Sequence, residues 1–290
     1  MLKMKTKSIF LIALTLIFCQ NYLFSQDLKP FKTDSIWGYK NSKGIITIIP
    51  QFQYASKFSE KFAVVAQNNL LGAIDSISET VIPFKYEYLK YLKDNKFIFG
   101  YRTKYFGEYK LGLINSKNEI LIEPVYRMIN LRNNILETIK QIDSVTGTTF
   151  AGDIRSVKWK YGLHSLSGKE IIPDEFDYIN WLDESLMALS KGDFQALFQS
   201  NGTKLTDFEF VVIDEFKDNL SKVRKGDKYG FINKQGVLVI PIIFDLADPF
   251  EIGYSKIRIN KKWGIINTKG EFIYQPKFSF KKMKGKIKTL

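Results

Sequence analysis

A chain that matches itself at a fixed step of 34 residues cannot be organised around one irregular core; it must be built from copies of one small unit. Gly38, Gly72, Gly112, Gly162, Ala196, Gly230 and Gly264 mark the copies, at spacings of 34, 40, 50, 34, 34 and 34 residues. Fourteen residues past each mark stands an aromatic: Phe52, Tyr86, Tyr126, Phe176, Phe210, Phe244 and Phe278. Aromatics make up 15% of the chain, so seven coincidences in seven units are not chance. A fixed period is the sign of a repeat architecture, in which each unit buries its apolar face against its neighbours. Such arrays offer binding or scaffolding surfaces and argue against a single deep catalytic pocket.

The last copy shows what one unit is. Ser255 to Asn260 alternates apolar and polar, the period of a half-buried strand. After the short turn Asn260-Lys261-Lys262, Trp263 to Asn267 reads as a second strand and Glu271 to Gln275 as a third, stopped by Pro276. The turn between them recurs. Asn41, Asp75, Asn115, Ser165, Gln199, Asn233 and Asn267 stand three residues past the marks, and Gly44, Ser78, Asn118, Gly168, Gly202, Gly236 and Gly270 stand six past. An Asn, Asp or Ser that bonds the turn's own backbone, followed by a residue tolerating positive φ, specifies a hairpin. The residues just past the marks are apolar on both faces, as in Phe231-Ile232 and Ile265-Ile266. A strand of that kind is covered on both sides, so neighbouring units stack over it. Pro50, Pro83, Pro124, Pro173, Pro241 and Pro276 are expected to end the third strand. No stripe of helical period persists, which sets aside the helical arrays that share this repeat length.

Trp37-Gly38, Tyr161-Gly162, Tyr229-Gly230-Phe231-Ile232-Asn233 and Trp263-Gly264-Ile265-Ile266-Asn267 resemble the core signature of WG-repeat proteins, and Val239-Ile240-Pro241 resembles that family's "VIP" stretch. Phe176-Asp177 and Phe244-Asp245 keep the aromatic and the acid that follow it. Leu71-Gly72, Leu111-Gly112 and Gln195-Ala196 depart from the pattern. The resemblance covers about residues 35 to 280 and implies a β-repeat scaffold without catalytic residues. The expected fold is therefore all-β, a tandem array of seven three-stranded antiparallel units forming an elongated twisted repeat. The alternative is a seven-bladed propeller, whose blades use four strands, more than 34 residues are expected to supply.

The ends bound the setting. Lys3, Lys5 and Lys7 precede the apolar run Ile9 to Phe18, and Ser25 is a small residue before Gln26, so residues 1–25 read as a secretory signal peptide. Cys19 opens a lipoprotein alternative, against which the bulky Phe18 stands. No other stretch is apolar over the length a membrane span requires. The expected address is the periplasm, cell surface or medium. The net charge falls from +13 to +10 when the three leader lysines are removed. Residues 26–280 form the array and 281–290 a basic tail with Lys281, Lys282, Lys284, Lys286 and Lys288.

No catalytic constellation is present. The mature chain has no cysteine and one histidine, His164, in a slot filled elsewhere by Ile74, Ile114, Phe198, Ile232 and Ile266, though also by Lys40, so it reads as a hydrogen-bonded packing residue. Phosphate-loop, nucleophile-elbow, dinucleotide and calcium-loop motifs are absent, and no metal or cofactor is expected. The Trp-Gly pairs and the recurring aromatics read as core packing. The two insertions are the candidate binding sites, because insertions in repeat arrays map to loops on one face. The first carries Tyr101, Arg102, Lys104, Tyr105, Phe106, Tyr109 and Lys110; the second carries Gln141 to Gly152, with Arg155, Lys158 and Trp159 on the returning strand. Aromatic and basic residues together suit another protein, an envelope glycan or an anionic polymer. The leading expectation is an exported, non-catalytic protein-binding scaffold. A carbohydrate-binding protein using the inserted hairpins is the second reading and a carboxylate-dependent hydrolase a remote third. Nucleic acid is not expected, because the positive charge is spread over the units of an exported chain.

Overall fold

The computed structural model describes residues 28–104, 107–150 and 152–282, and they form seven small antiparallel sheets. Sheet one holds Lys29–Thr33, Ile36–Lys40 and Ile46–Phe52; sheet two holds Tyr54–Ala55, Ala63–Gln67, Leu70–Ile74 and Thr80–Tyr86. Sheet three holds Tyr88–Lys93, Lys96–Arg102, Tyr109–Asn115 and Ile120–Tyr126; sheet four holds Met128–Arg132, Ile135–Thr149, Gly152–Ser165 and Glu170–Phe176. Sheet five holds Tyr178–Trp181, Leu186–Lys191 and Phe194–Gln199; sheet six holds Val212–Lys217, Leu220–Lys225, Lys228–Asn233 and Leu238–Phe244. Sheet seven holds Leu246–Ala247, Tyr254–Ile259, Lys262–Asn267 and Phe272–Phe278. The all-β repeat expectation is met. Five of the seven sheets carry four strands rather than three. The added strand starts sixteen residues past the mark, after a single linking residue, as at Tyr54, Tyr88 and Leu246. Unit length therefore does not exclude four strands.

Two compact units divide the chain. The first holds the described residues up to Lys140 together with His164–Lys169, and the second holds Gln141–Leu163 and the described residues from Glu170 on. In the first, Tyr39, Ile48 and Phe52 of sheet one pack against Ala63, Val65 and Ile74 of sheet two, and Ile82 and Tyr86 of sheet two pack against Phe97, Phe99 and Ile114 of sheet three. In the second, Leu197 and Phe210 meet Val223 and Ile232, while Phe231, Ile240 and Phe244 meet Phe250, Ile257 and Ile266. The middle strand is thus apolar on both faces because each face has its own sheet to cover. The recurring aromatics are buried except Phe278, which is half-buried.

The recurring turn forms by the chemistry expected of it. The Asn41 Oδ1 accepts from Lys43 N and Ile45 N at 3.0 Å each, and Asp75, Asn115, Asn233 and Asn267 accept in the same way. Three residues later φ is positive throughout, from 61° at Asn118 to 92° at Gly202. Gln199, the one opener that is not Asn, Asp or Ser, does not fill this role; Asn201 Oδ1 accepts from Thr203 N at 2.9 Å instead. The turns also join units: Tyr86 Oη donates to Asn118 Oδ1 at 2.6 Å, and a Cβ on Gly270 would meet Ile240 Cγ1 at 3.3 Å.

The prolines lie inside the last strands of their sheets, not at their ends. In sheet six Tyr229 pairs with Phe244 and Phe231 with Ile240, so the fourth strand bulges between these pairs. Pro241 sits in that bulge on an edge strand, where a missing N–H costs no ladder bond. The bulge also explains the marking glycine. A Cβ on Gly230 would lie 2.7 Å from Ile240 O and 2.9 Å from Ile242 Cα. Sheet five, with Ala196, has no fourth strand; two isolated bridges, Phe198 to Lys204 and Gln195 to Phe210, replace it. There Leu197 N donates to the Thr206 hydroxyl at 2.9 Å.

Candidate functional site

Both insertions lengthen the same corner of their sheets, between the second and third strands. In the first, Thr103 N closes the corner on Glu108 O at 2.8 Å. Its root is held by Glu87, whose Oε2 accepts from Arg102 N at 2.6 Å, and its return by an ion pair of Glu108 with Arg127 at 3.1 Å. Strand alternation then divides the expected binding residues. Tyr101 pairs with Lys110 and packs against Tyr86 and Phe99, at 5.7 and 5.9 Å between ring centroids. Arg102 pairs with Tyr109 on the opposite face; its guanidinium lies 5.9 Å from the Tyr109 ring, which stands 5.4 Å from Tyr88. The hairpin therefore presents two faces rather than one aromatic-basic cluster. Burial pushes the Tyr101 and Tyr88 hydroxyls up from their ordinary value of 10.0. Tyr105 and Phe106 lie outside the described residues, as do the 1–25 leader with Cys19 and the tail beyond residue 282.

The second insertion is a long ribbon, Ile135–Thr149 with Gly152–Ser165. The first strand of sheet four pairs only with Ile135–Ile139, so the rest of that strand runs on without it. Ile142, Phe150, Val157 and Trp159 are exposed along the ribbon, Trp159 by 42%. Lys160 donates to Asp177 Oδ1 at 2.6 Å and Glu175 O at 2.9 Å, and Tyr161 stands 5.7 Å from Tyr178. The Arg155 side chain lies outside the described residues.

Trp37, Tyr229 and Trp263 are half-buried, and a cation lies over each ring: Lys32 at 5.6 Å, Lys222 at 5.6 Å and Arg258 at 5.9 Å. His164 is buried, with Nδ1 3.3 Å from the Thr138 hydroxyl and its ring 5.7 Å from Tyr126. Among the described residues no three His, Cys, Asp or Glu side chains gather as a metal-ligand set, and no helix is long and apolar enough to cross a membrane.

The role of the linking residue was not legible beforehand. Gln53, Glu87 and Asp177, each one past the recurring aromatic, accept from backbone N–H groups of the next sheet: Asn69 at 2.7 Å, Arg102 at 2.6 Å and Gly192 at 2.8 Å. Asp245 holds the turn at Asn260 and Lys261 and pairs with Lys228, as Asp177 pairs with Lys160. The available signal was the acid retained in Phe176-Asp177 and Phe244-Asp245. Lys160 and Lys228 hold these carboxyls below their ordinary value.

Asp183 is a further fastening. Burial alone would raise its carboxyl, but Lys234 at 2.9 Å, the Ser185 N–H and hydroxyl, and the Leu186 N–H together bring it down to about 2. A folded-state value below the ordinary 3.8 gives stability that is present above that value and lost as pH falls through about 2. Asp183→Asn should therefore be less stable than the parent at pH 7, and the gap should close as the pH approaches 2. Urea midpoints across this range check it; a gap that does not depend on pH would count against the ion pair.

Five segments, residues 37–70, 112–134, 197–229, 229–263 and 263–280, match the model of the family described as WG containing repeat. No curated protein matches the chain. Among solved structures, it is similar to a crystal structure of the eukaryotic initiation factor, at 10% identity over 88% of this chain and 86% of that one, TM-score 0.30. PorZ, an essential bacterial surface component of the type-IX secretion system of Porphyromonas gingivalis, is 10% identical over 86% of this chain and 37% of that one, TM-score 0.27. Kluyveromyces lactis Hsv2 is 10% identical over 86% and 93%, TM-score 0.27. The matched segments carry Trp37-Gly38, Tyr229-Gly230 and Trp263-Gly264 at the bulged position that requires glycine, and the chain belongs to the WG-repeat family.

Proposed function

We propose that this protein is an exported, non-catalytic binding or scaffolding protein of the bacterial envelope or cell surface, and that its long inserted ribbon holds another protein. The observation that carries this reading is the ribbon itself. A two-stranded hairpin is marginally stable on its own, and this one leaves Ile142, Phe150, Val157 and Trp159 exposed. Exposed aromatics on a pair of hydrogen-bonded strands are suitable anchors for a partner's pocket. The charged leader and apolar run of residues 1–25 support export. The first hairpin supports glycan stacking less well, because its residues divide between two faces and Arg102 lies over Tyr109.

The test is a paired capture from envelope extract. One bait is the chain from Gln26; the other has both insertions trimmed to restore the 34-residue period. A protein partner should be held by the full chain and lost from the trimmed one. Trp159→Ala should weaken it by about 30-fold, the effect of removing one interface anchor. Equal recovery by the two baits would overturn the ribbon as the site.

A further inference from the structure

One end of sheet seven gathers positive charge that nothing in the described chain neutralises. The turn Asn260-Lys261 is a two-residue corner with φ of 49° and 64°, and Lys262 follows it. Trp263 comes next and pairs across the sheet with Phe278. Past Phe278 the chain takes a helical turn at 280–282, and the Phe280 ring stands 5.3 Å from Trp263. The pairing of Trp263 with Phe278 and its contact with Phe280 place the segment that carries Lys261 and Lys262 against the one that carries Lys277, Lys281 and Lys282. All five lysines are exposed, and Arg258 lies over the Trp263 ring at 5.9 Å.

Several lysines of the described chain lie against a carboxylate. Lys160 pairs with Asp177, Lys222 with Asp214, Lys225 with Glu209, Lys228 with Asp245 and Lys256 with Asp248. Among the described residues none of Lys261, Lys262, Lys277, Lys281 and Lys282 has a carboxylate partner. The carboxylate at this end, Asp245, is already engaged by Lys228 and by the backbone of Lys261 and Asn260. The Arg258 Nε is buried without a hydrogen-bond acceptor.

The patch is also apolar. Phe280 is 49% exposed among the lysines, and Ile243, two residues before Asp245, is 51% exposed. Cations alone suffice for a dissolved polyanion. An exposed phenyl ring set between lysines, over a half-buried Trp, suits a charged surface with an apolar layer beneath it. We propose that this end of sheet seven docks on an anionic lipid surface, with the lysines on headgroups and Phe280 entering the interface. Each lysine near such a surface strengthens binding about fivefold.

The test is co-sedimentation of the chain from Gln26 with two kinds of vesicle: phosphatidylcholine alone, and phosphatidylcholine with about a third phosphatidylglycerol, which places the membrane in the charged range. Binding is expected only to the second kind and should weaken as salt rises. Lys281→Glu with Lys282→Glu should lower it at least about tenfold. Phe280→Ser should lower it about fivefold, roughly the loss of half a buried aromatic side chain. Unchanged thermal midpoints would separate both effects from misfolding. Equal binding to the two vesicles, or binding to neither, overturns the proposal. So does a lysine effect without a Phe280 effect when dissolved polyphosphate displaces the chain, which would assign the patch to a soluble polyanion. The insertion-trimmed chain keeps every residue of this patch and should bind vesicles normally, so failure of the ribbon as a partner site leaves this test standing.

Discussion

Gly230→Ala should lower stability by about 3 kcal/mol, toward the upper end of what overpacking by one methyl group costs. The position has ordinary φ, so the cost is not conformational freedom. It comes from the fourth-strand bulge, whose backbone passes over the glycine. The new methyl would meet Ile240 O at 2.7 Å and Ile242 Cα at 2.9 Å, and neither atom is the end of a flexible side chain. Ala196 supplies the chain's own control, because where alanine takes the mark the fourth strand is absent. Ala196→Gly should accordingly cost only about 1 kcal/mol, the ordinary penalty for glycine in a strand. Urea denaturation of the two variants decides between them. Equal midpoints would mean that the bulge yields freely and that glycine is kept at the mark for another reason.

Phe231→Ala should cost about 4 kcal/mol, and its effect should be local. Phe231 is fully buried between sheets six and seven, with its ring edge-on to Phe250 at 4.7 Å, in a cluster with Ile240, Phe244, Ile257 and Ile266. Truncation removes the transfer energy of the ring and leaves a cavity. In a repeat array stability is a sum of unit and neighbour terms, so the loss falls on the contact between these two sheets. Amide exchange at Ile265 and Ile266 should accelerate strongly, while Phe97 and Phe99 in sheet three keep their protection. Uniform acceleration along the chain would show that the seven sheets unfold as a single cooperative block.

The parts legible in the sequence are those written in short-range chemistry. An Asn followed three residues later by Gly closes its turn within a few residues, so the hairpins at Asn41, Asn233 and Asn267 could be placed without knowing what surrounds them. The doubly apolar middle strands announced that sheets would stack, and the insertion lengths announced which corners would grow. Other features needed the neighbours in place. Pro241 reads as a strand end, yet it lies within a strand, because an edge with a bulge has no use for its N–H. The two-residue strand Leu246–Ala247 carries no pattern of its own and exists because Tyr254–Ile259 offers it an edge. Alternation placed Tyr101 and Arg102 on opposite faces, a division that composition conceals. Asp177 and Asp245 stand in the sequence only as the acids that follow a recurring aromatic; the fold alone brings a turn of the next sheet to their carboxylates. The sequence by itself determined the unit, the number of copies and the turns, since those follow from contacts a few residues apart. The tertiary structure decided the added strand that opens most sheets, the need for glycine at the bulge and the gathering of lysines around Trp263 and Phe280, because each depends on atoms that meet only once separate segments have packed.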